Sequence, residues 1–308
     1  MNISLTNLPK ITFRATSNVS NQNMQTAPQN IQSQPVKDTF EKSDKTSEKN
    51  SNSPKYVTTD IFYINDNHGR IGNMSRIYSA KELYDYQTKN STADKLVLAA
   101  GDISAGADHN VARAANTYMN ALGVEATSDG NHEYDENPPE LADSKKGAKF
   151  KSLGMNLQIP KGNPLDGVIE KSFVLEKNGH KYAIIGLAPP DLHERIRDND
   201  SRKQIGVDDF EKTLKDVQTA VDDFKKQGIN KVIVLSHCGL TKDQRLAKET
   251  SGIDVIVGGH THDLLKGVEE GKNLLTSKSN EPVVITQAGK DGEYFGDLKI
   301  TWDDDKGV

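Results

Sequence analysis

The chain has 308 residues, 34% of them hydrophobic, and a formal net charge of −5 at pH 7. This length suits one large domain or two ordinary ones, and the negative charge argues against a general nucleic-acid-binding surface. The single cysteine, Cys238, excludes an intrachain disulfide. No apolar run approaches the length that spans a membrane, so no membrane partner is expected.

The first 54 residues differ in composition from the rest of the chain. They are mostly Asn, Ser, Thr, Gln and Lys, as in SNVSNQNMQTAPQNIQSQ (17–34), and show no periodic apolar face. Residues 1–54 are therefore predicted to be a disordered polar tail, and residues 55–308 the folded domain. The tail also lacks the apolar stretch of a signal peptide, which favours the cytoplasm, with an extracytoplasmic location as the alternative.

Apolar strands alternate with helical segments beyond residue 55. Strands are predicted at 57–65, 95–102, 124–131, 182–191, 231–239, 254–260, 282–290 and 294–303, and helices at 111–123 and 207–228. This alternation predicts an α/β fold. The last two strands are predicted to form an antiparallel hairpin pair.

Polar residues recur just after these strands. They are Asp66, His68, Asp102, Asn131, His132, His237, His260 and His262. Ligands bind at the carboxyl ends of strands in layered α/β folds, and five of the eight histidines lie there. The other three, His109, His180 and His193, are predicted to face solvent.

The spacing of these residues favours metal ligation. Asp66 and His68 are two apart, as are His260 and His262, and in an extended backbone such residues point the same way. Asp, His and Asn ligands suit divalent first-row ions. Seven candidate ligands exceed the needs of one ion, so two ions sharing Asp102 are predicted, an arrangement used in phosphoester hydrolysis. Cys238 is predicted to pack into the core.

Taken alone, each short motif is more typical of a surface turn than of a site. Five of them follow one another in a characteristic order: D-x-H-G (66–69), G-D-x-x-x-G (101–106), G-N-H-E-x-D (130–135), S-H (236–237) and G-G-H-T-H (258–262). This series resembles the calcineurin-like metallophosphoesterases. Within them, residues 57–303 resemble the amino-terminal catalytic domain of the 5′-nucleotidase and 2′,3′-cyclic phosphodiesterase branch. The resemblance implies a four-layer α/β/β/α sandwich.

The resemblance also implies two divalent ions, Mn²⁺, Zn²⁺ or Fe²⁺, and assigns their ligands position by position. One ion would be held by Asp66, His68, Asp102 and His262. The other would be held by Asp102, Asn131, His237 and His260. His132 would assist the leaving oxygen, and Asp135 would hold the imidazole of His132 in the useful tautomer.

The expected activity is that of a 5′-nucleotidase-like phosphomonoesterase, which attacks a small phosphate ester, including nucleotides, with a metal-activated water. The larger 5′-nucleotidases bind the base in a carboxy-terminal domain that this sequence is not expected to contain, so a nucleotide preference is not carried over. One alternative is a phosphodiesterase with the same metals. Another is a catalytically silent binding module, which the intact ligand positions and the His132–Asp135 pair disfavour.

Overall fold

The computed structural model describes residues 12–17 (backbone only), 56–104, 106 and 108–303. Its strands are β1 (Thr12–Ser17), β2 (Tyr56–Ile64), β3 (Asp94–Ala100), β4 (Ala126–Ser128), β5 (Lys151–Leu153), β6 (Leu157–Gln158), β7 (Ile169–Glu170), β8 (Ser172–Lys177), β9 (His180–Leu187), β10 (Gly206–Val207), β11 (Val232–Ser236), β12 (Val255–Gly258), β13 (Leu274–Thr276), β14 (Pro282–Thr286) and β15 (Tyr294–Asp303). Its α-helices are α1 (Ile71–Gln87), α2 (His109–Leu122), α3 (Pro138–Ser144), α4 (Leu192–Arg195), α5 (Asp200–Gln204), α6 (Phe210–Lys226) and α7 (Leu240–Glu249). A 3₁₀ turn spans His132–Asp135.

Two large sheets account for most of the strands. The first has the order β1-β15-β2-β3-β4-β5-β7 and the second the order β13-β14-β12-β11-β9-β8. In the first sheet β2, β3, β4, β5 and β7 are parallel, and in the second β14, β12, β11 and β9 are parallel. Each sheet therefore presents a row of strand carboxyl ends along one edge.

The sheets pack face to face, with helices on both outer faces. Alternation along β11 shows the arrangement, because Ile233 and Leu235 lie in the core between the sheets, whereas Val232 and Val234 pack with α6 and α7. Helices α1 and α2 cover the outer face of the first sheet. The predicted four-layer α/β/β/α sandwich is confirmed. Cys238 is buried in the core beneath α6 and α7, as predicted.

Helix α6 illustrates how the sequence specifies these outer layers. Its buried residues recur at helical spacing and include Phe210, Leu214, Val217, Val221 and Phe224. The carboxylate of Asp209 caps the helix by accepting the N–H of Lys212 at 2.8 Å. Burial of such side chains contributes roughly 1.5–3 kcal/mol each, so this stripe fastens the helix to the second sheet.

The predicted hairpin of the last two strands is wrong. β14 pairs with β12 in parallel within the second sheet, whereas β15 pairs antiparallel with β2 in the first. Burial explains the separation. β14 is buried on both faces after its first residue, but β15 alternates, placing Leu298, Ile300 and Trp302 between the sheets.

The predicted disordered tail is interrupted by β1, which pairs antiparallel with β15 from Thr12↔Lys299 to Ser17↔Tyr294. Without it, the outer edge of β15 would expose a row of unpaired backbone groups. The remainder of residues 1–54 lies outside the described residues. Among the helices that are described, none has the length and apolar character needed to cross a membrane.

The three other histidines, predicted to face solvent, are partly exposed, but each also has a hydrogen-bond partner in the fold. The partners are Glu136 and Asp143 for His109, Asp94 for His180, and the carbonyl of Ile205 for His193. These partners lie far from the histidines along the chain or on other elements, so the fold brings them into range.

Candidate dinuclear metal centre

The predicted site residues meet where the strand carboxyl ends of both sheets adjoin. Asp66 and His68 follow β2, Asp102 follows β3, and Asn131 and His132 follow β4 in the first sheet. His237 follows β11, and His260 and His262 follow β12 in the second. A hydrogen bond of 2.6 Å between Nδ1 of His237 and the carbonyl of Ala100 joins the two edges.

The backbone at these residues is not extended, so the predicted reason for their common direction is wrong. Positive φ angles occur at Asp66 (49°), His68 (47°), Asp102 (51°), His260 (75°) and His262 (61°). These left-handed residues lie within four positions of their strand ends, and their side chains meet in one cluster. Left-handed backbone at a non-glycine residue costs on the order of 1 kcal/mol and typically persists at functional sites.

Asp66 lies at the bottom of the site and is fully buried. Its carboxylate accepts the backbone N–H of His260 at 3.0 Å and the side-chain amide of Asn65 at 2.7 Å. Its Oδ1 also faces Nε2 of His262 at 3.3 Å, and Nε2 of His68 and of His237 at 3.8 Å each. One carboxylate thus contacts ligand candidates from both sheets.

Asp102 occupies the middle of the cluster. Its Oδ1 accepts the backbone N–H of His132 at 2.8 Å, and its Oδ2 lies 3.1 Å from Nε2 of His237 and 3.7 Å from Nε2 of His68. Burial favours the neutral acid, but the neighbouring His237 and His68 hold the pKa of Asp102 well below its usual range. Asp102 is therefore an anion placed between two groups of imidazoles.

His237 shows that the cluster has an uncompensated acceptor. Because its Nδ1 donates to the carbonyl of Ala100, Nε2 of the neutral ring would present a lone pair to the carboxylate of Asp102. Within the part of the chain that is described, this buried Nε2 has no hydrogen-bond partner. Burial disfavours the charged ring, yet Asp102 and Asp66 raise the pKa of His237 to about 10. A proton or a metal ion relieves the repulsion.

The side chain of Asn131 also contains a buried acceptor that suits a cation. Its Oδ1 is buried and, among the described residues, has no donor. The backbone at Gly130, the preceding residue, lies close to the carboxylate of Asp102, since a Cβ on Gly130 would be 2.2 Å from Oδ1 of Asp102. Unpaired oxygen and nitrogen acceptors beside two buried carboxylates fit divalent cations, which need electron donors and positive-charge compensation.

Three groups of side chains have ligand atoms close enough to share an ion. They are Asp66, His68 and His262; His68, Asp102 and His132; and Asp102, His237 and His260. The first and third groups match the two predicted ligand sets, lacking only Asp102 and Asn131 respectively. Asp102 belongs to two of the three groups.

His132 and Asp135 face each other across the 3₁₀ turn. Their Nδ1 and Oδ2 atoms are 2.8 Å apart, and Oδ1 of Asp135 accepts the backbone N–H of Arg197 at 3.1 Å. The hydrogen bond that His132 donates to Asp135, together with the nearby acidic charges, raises the pKa of His132 above its usual value, although burial opposes this. The imidazole is thus oriented and biased towards its protonated form.

Two supporting carboxylates were not predicted as site residues. Glu133 accepts the backbone N–H groups of Asp102, Ile103 and Gly130, which ties the loops after β3 and β4 together. The position of Glu133 within the G-N-H-E-x-D motif is the sequence signal from which its role could have been predicted. Asp291 contacts His68 at 3.0 Å from the far end of the chain, and no local pattern indicates that contact.

The family model for calcineurin-like phosphoesterases matches residues 59–264, which includes every candidate ligand. The chain belongs to the calcineurin-like phosphoesterase family. Among calcineurin-like relatives, it is 32% identical to an apyrase of Anopheles gambiae over 79% of this chain and 48% of that protein. It is 26% identical to the trifunctional nucleotide phosphoesterase YfkN of Bacillus subtilis over 80% of this chain and 18% of that one.

A solved structure agrees with this membership. The 5′-nucleotidase precursor of Thermus thermophilus superposes with a TM-score of 0.71 and 28% identity, covering 82% of this chain and 52% of that one. The chain spans about half or less of the length of the relatives named here.

Proposed function

We propose that this protein is a metal-dependent phosphoesterase that hydrolyses phosphate monoesters in the manner of a 5′-nucleotidase. The observation that carries the proposal is the meeting, at one sheet edge, of two buried carboxylates with two buried acceptors that have no donor among the described residues. Asp66, Asp102, Nε2 of His237 and Oδ1 of Asn131 converge there. Such a set is costly unless cations bind to it.

Two divalent ions would supply a nucleophilic water at neutral pH and stabilise negative charge on the phosphoryl oxygens. Asp66, His68, Asp102 and His262 would hold one ion. Asp102, Asn131, His237 and His260 would hold the other. Mn²⁺, Zn²⁺ and Fe²⁺ all suit these nitrogen and oxygen donors.

His132 is proposed to protonate the leaving oxygen. Its Nδ1 is occupied by Asp135, which leaves Nε2 as the atom that faces substrate. The raised pKa of His132 keeps the ring protonated closer to neutral pH, and its side chain is 37% exposed, so a substrate can reach it. Asp135 acts through His132 by holding the ring and stabilising its charge.

Nucleotides are the proposed substrate class. The relatives include proteins named 5′-nucleotidase in Mus musculus and in Homo sapiens, besides the apyrase and nucleotide phosphoesterase already described.

The decisive experiment offers the purified protein, loaded with Mn²⁺, three substrates: AMP, an aryl phosphate monoester and an aryl phosphate diester. Cleavage of AMP, with or without cleavage of the aryl monoester, supports the proposal. Cleavage of the diester alone would identify a phosphodiesterase instead. No cleavage of any substrate, with both ions bound, would contradict the proposed activity and favour a binding module.

His132→Ala tests the mechanism in the same assay. General acid catalysis typically contributes 10²–10⁴-fold, so the variant should lose roughly that factor while still binding Mn²⁺. His180→Asn is the matched control, because His180 is also bonded to an aspartate but at the opposite end of the sheets. Equal losses in the two variants would refute the assigned role of His132.

A further inference from the structure

Asp291 lies outside the candidate ligand set yet contacts one of its members. It belongs to the connection between β14 and β15, and its Oδ1 is 3.0 Å from Nδ1 of His68. Nε2 of the same ring faces Asp66 and Asp102 at 3.8 and 3.7 Å. Because both carboxylates lie on the Nε2 side, Nε2 is the donor available to a metal, and Nδ1 carries the proton that Asp291 accepts.

The backbone around Asp291 is attached to the same loop. Its N–H donates to the carbonyl of Asp66 at 2.6 Å, and its own carbonyl accepts the side-chain amide of Asn73 at 2.8 Å. Asp291 has a φ of 56°, in the left-handed region. These contacts hold the carboxylate at a set position relative to His68.

A second histidine of the candidate ligand set, His237, is oriented by a different kind of acceptor. Its Nδ1 donates to a neutral backbone carbonyl, that of Ala100, whereas His68 donates to a charged carboxylate. A carboxylate partner fixes the ring and also raises the basicity of its metal-binding nitrogen. Arg70 lies 3.6 Å from the same oxygen of Asp291, but its side chain is 64% exposed, so solvent screens its charge.

We propose that Asp291 is a positioning residue that sets the cation affinity of the His68 side of the centre. This inference rests on the metal centre of the proposed function. Only the ion next to His68 would be bound more tightly because of this carboxylate. The affinities of the two ions should therefore depend unequally on Asp291.

The test is a titration of the metal-free full-length protein with Mn²⁺ alone, against a competing chelator. Wild type is compared with Asp291→Asn and Asp291→Gly. Both replacements tolerate a positive φ, so the turn is retained. Asn keeps an oxygen that accepts the N–H of His68 but loses the charge, and Gly removes both.

One of the two dissociation constants is expected to rise about tenfold in Asp291→Asn and up to about 100-fold in Asp291→Gly. The other constant and the melting temperature of the metal-free protein should stay near wild type. Asp297→Asn is the control, because Asp297 lies on β15 and its carboxylate accepts the hydroxyl of Tyr84 at 3.3 Å, away from the ligands. It should change neither constant.

Unchanged constants in both Asp291 variants would overturn the inference while leaving the metal centre standing. Equal weakening of both ions, together with a lower melting temperature of the metal-free protein, would show a merely structural role and would also overturn it. A wild-type protein that binds no Mn²⁺ would overturn the metal centre itself.

Discussion

Asp94 and Asp102 begin and follow the same strand, β3, and both reach from the first sheet to a histidine of the second. Asp94 is buried, and its two oxygens accept from Asn178 at 2.7 Å, from His180 at 2.7 Å and from the hydroxyl of Tyr182 at 2.6 Å. Asp102 instead faces Nε2 of His237 at 3.1 Å, an atom that has a lone pair when the ring is neutral. Residue types are similar in the two clusters, but among the described residues only the cluster around Asp102 contains a buried histidine nitrogen and a buried amide oxygen without a hydrogen-bond partner.

The hydrogen-bond partners of its buried groups distinguish a structural cluster from a candidate metal centre. At the Asp94 end, each carboxylate oxygen has a protein donor, so the cluster fastens the two sheets together. At the Asp102 end, acceptors outnumber donors among the described residues, and a cation is the missing partner.

The largest expected effect is on activity and comes from Asp102→Asn. Losing the carboxylate shared by both ions should lower kcat/KM for the best substrate by about a thousandfold or more, since metal-ion stabilisation of the transition state is worth several kcal/mol. Steady-state kinetics at saturating Mn²⁺ measure this. Retention of more than a tenth of the activity would contradict a shared carboxylate.

A further buried carboxylate, Asp243, differs from Asp94 and Asp102 because one of its oxygens has no partner and burial favours its protonated form. Its Oδ1 accepts the hydroxyl of Ser236 at 2.5 Å, but its Oδ2 has no partner among the described residues. Burial raises its pKa to about 7. The folded state therefore binds this proton more tightly than the unfolded state, so stability falls as pH rises from about 4 to about 7 and then levels off.

Asp243→Asn removes that penalty. Relative to wild type, the variant should gain unfolding free energy progressively between pH 4 and 7, by up to about 4 kcal/mol above pH 7. Urea unfolding at a series of pH values measures the difference. A difference that does not change with pH would mean that Asp243 is ionised in the folded protein throughout.

At the opposite end, Asp94→Ala should affect stability and leave catalysis intact. It leaves the donors of Asn178, His180 and Tyr182 without their acceptor, which should lower the unfolding free energy by about 2–4 kcal/mol. The kcat of the folded fraction should match wild type. A loss of Mn²⁺ binding in this variant would erase the proposed difference between the two ends.

The smallest expected effect comes from Asp135→Asn, which keeps the geometry around His132 and removes a charge. The rate should fall about tenfold, a part of what the general acid contributes. Because Asp135 raises the pKa of His132, the alkaline limb of the kcat profile should move to lower pH in the variant. If the alkaline limb does not move, Asp135 does not affect the pKa of the group that titrates there.

Much of the fold could be predicted from the sequence because buried strands and amphipathic helices leave local patterns. KVIVLS reads as a buried strand, and the residue that follows it, His237, lies at the sheet edge where ligands bind. The order of the motifs then predicted candidate ligands along one edge, and the fold brings their side chains together there.

The remainder depends on contacts between distant parts of the chain. Asp291 and His68 are 223 residues apart, so only the tertiary fold reveals their hydrogen bond. The pairing of β14 and β15 with different sheets follows from which faces are covered, and a pair of adjacent strands does not show that locally. The left-handed backbone at Asp66 and His68 likewise cannot be predicted from sequence patterns that assume extended strands.

The most direct test of the difference between the two ends is a crystal of the protein soaked in Mn²⁺, with an anomalous difference map. We predict two peaks roughly 3.5–4 Å apart, both within bonding distance of Asp102, one beside His68 and His262 and the other beside His237 and His260. No peak is expected beside Asp94. A map without density at Asp102, or with density at Asp94, would contradict the account.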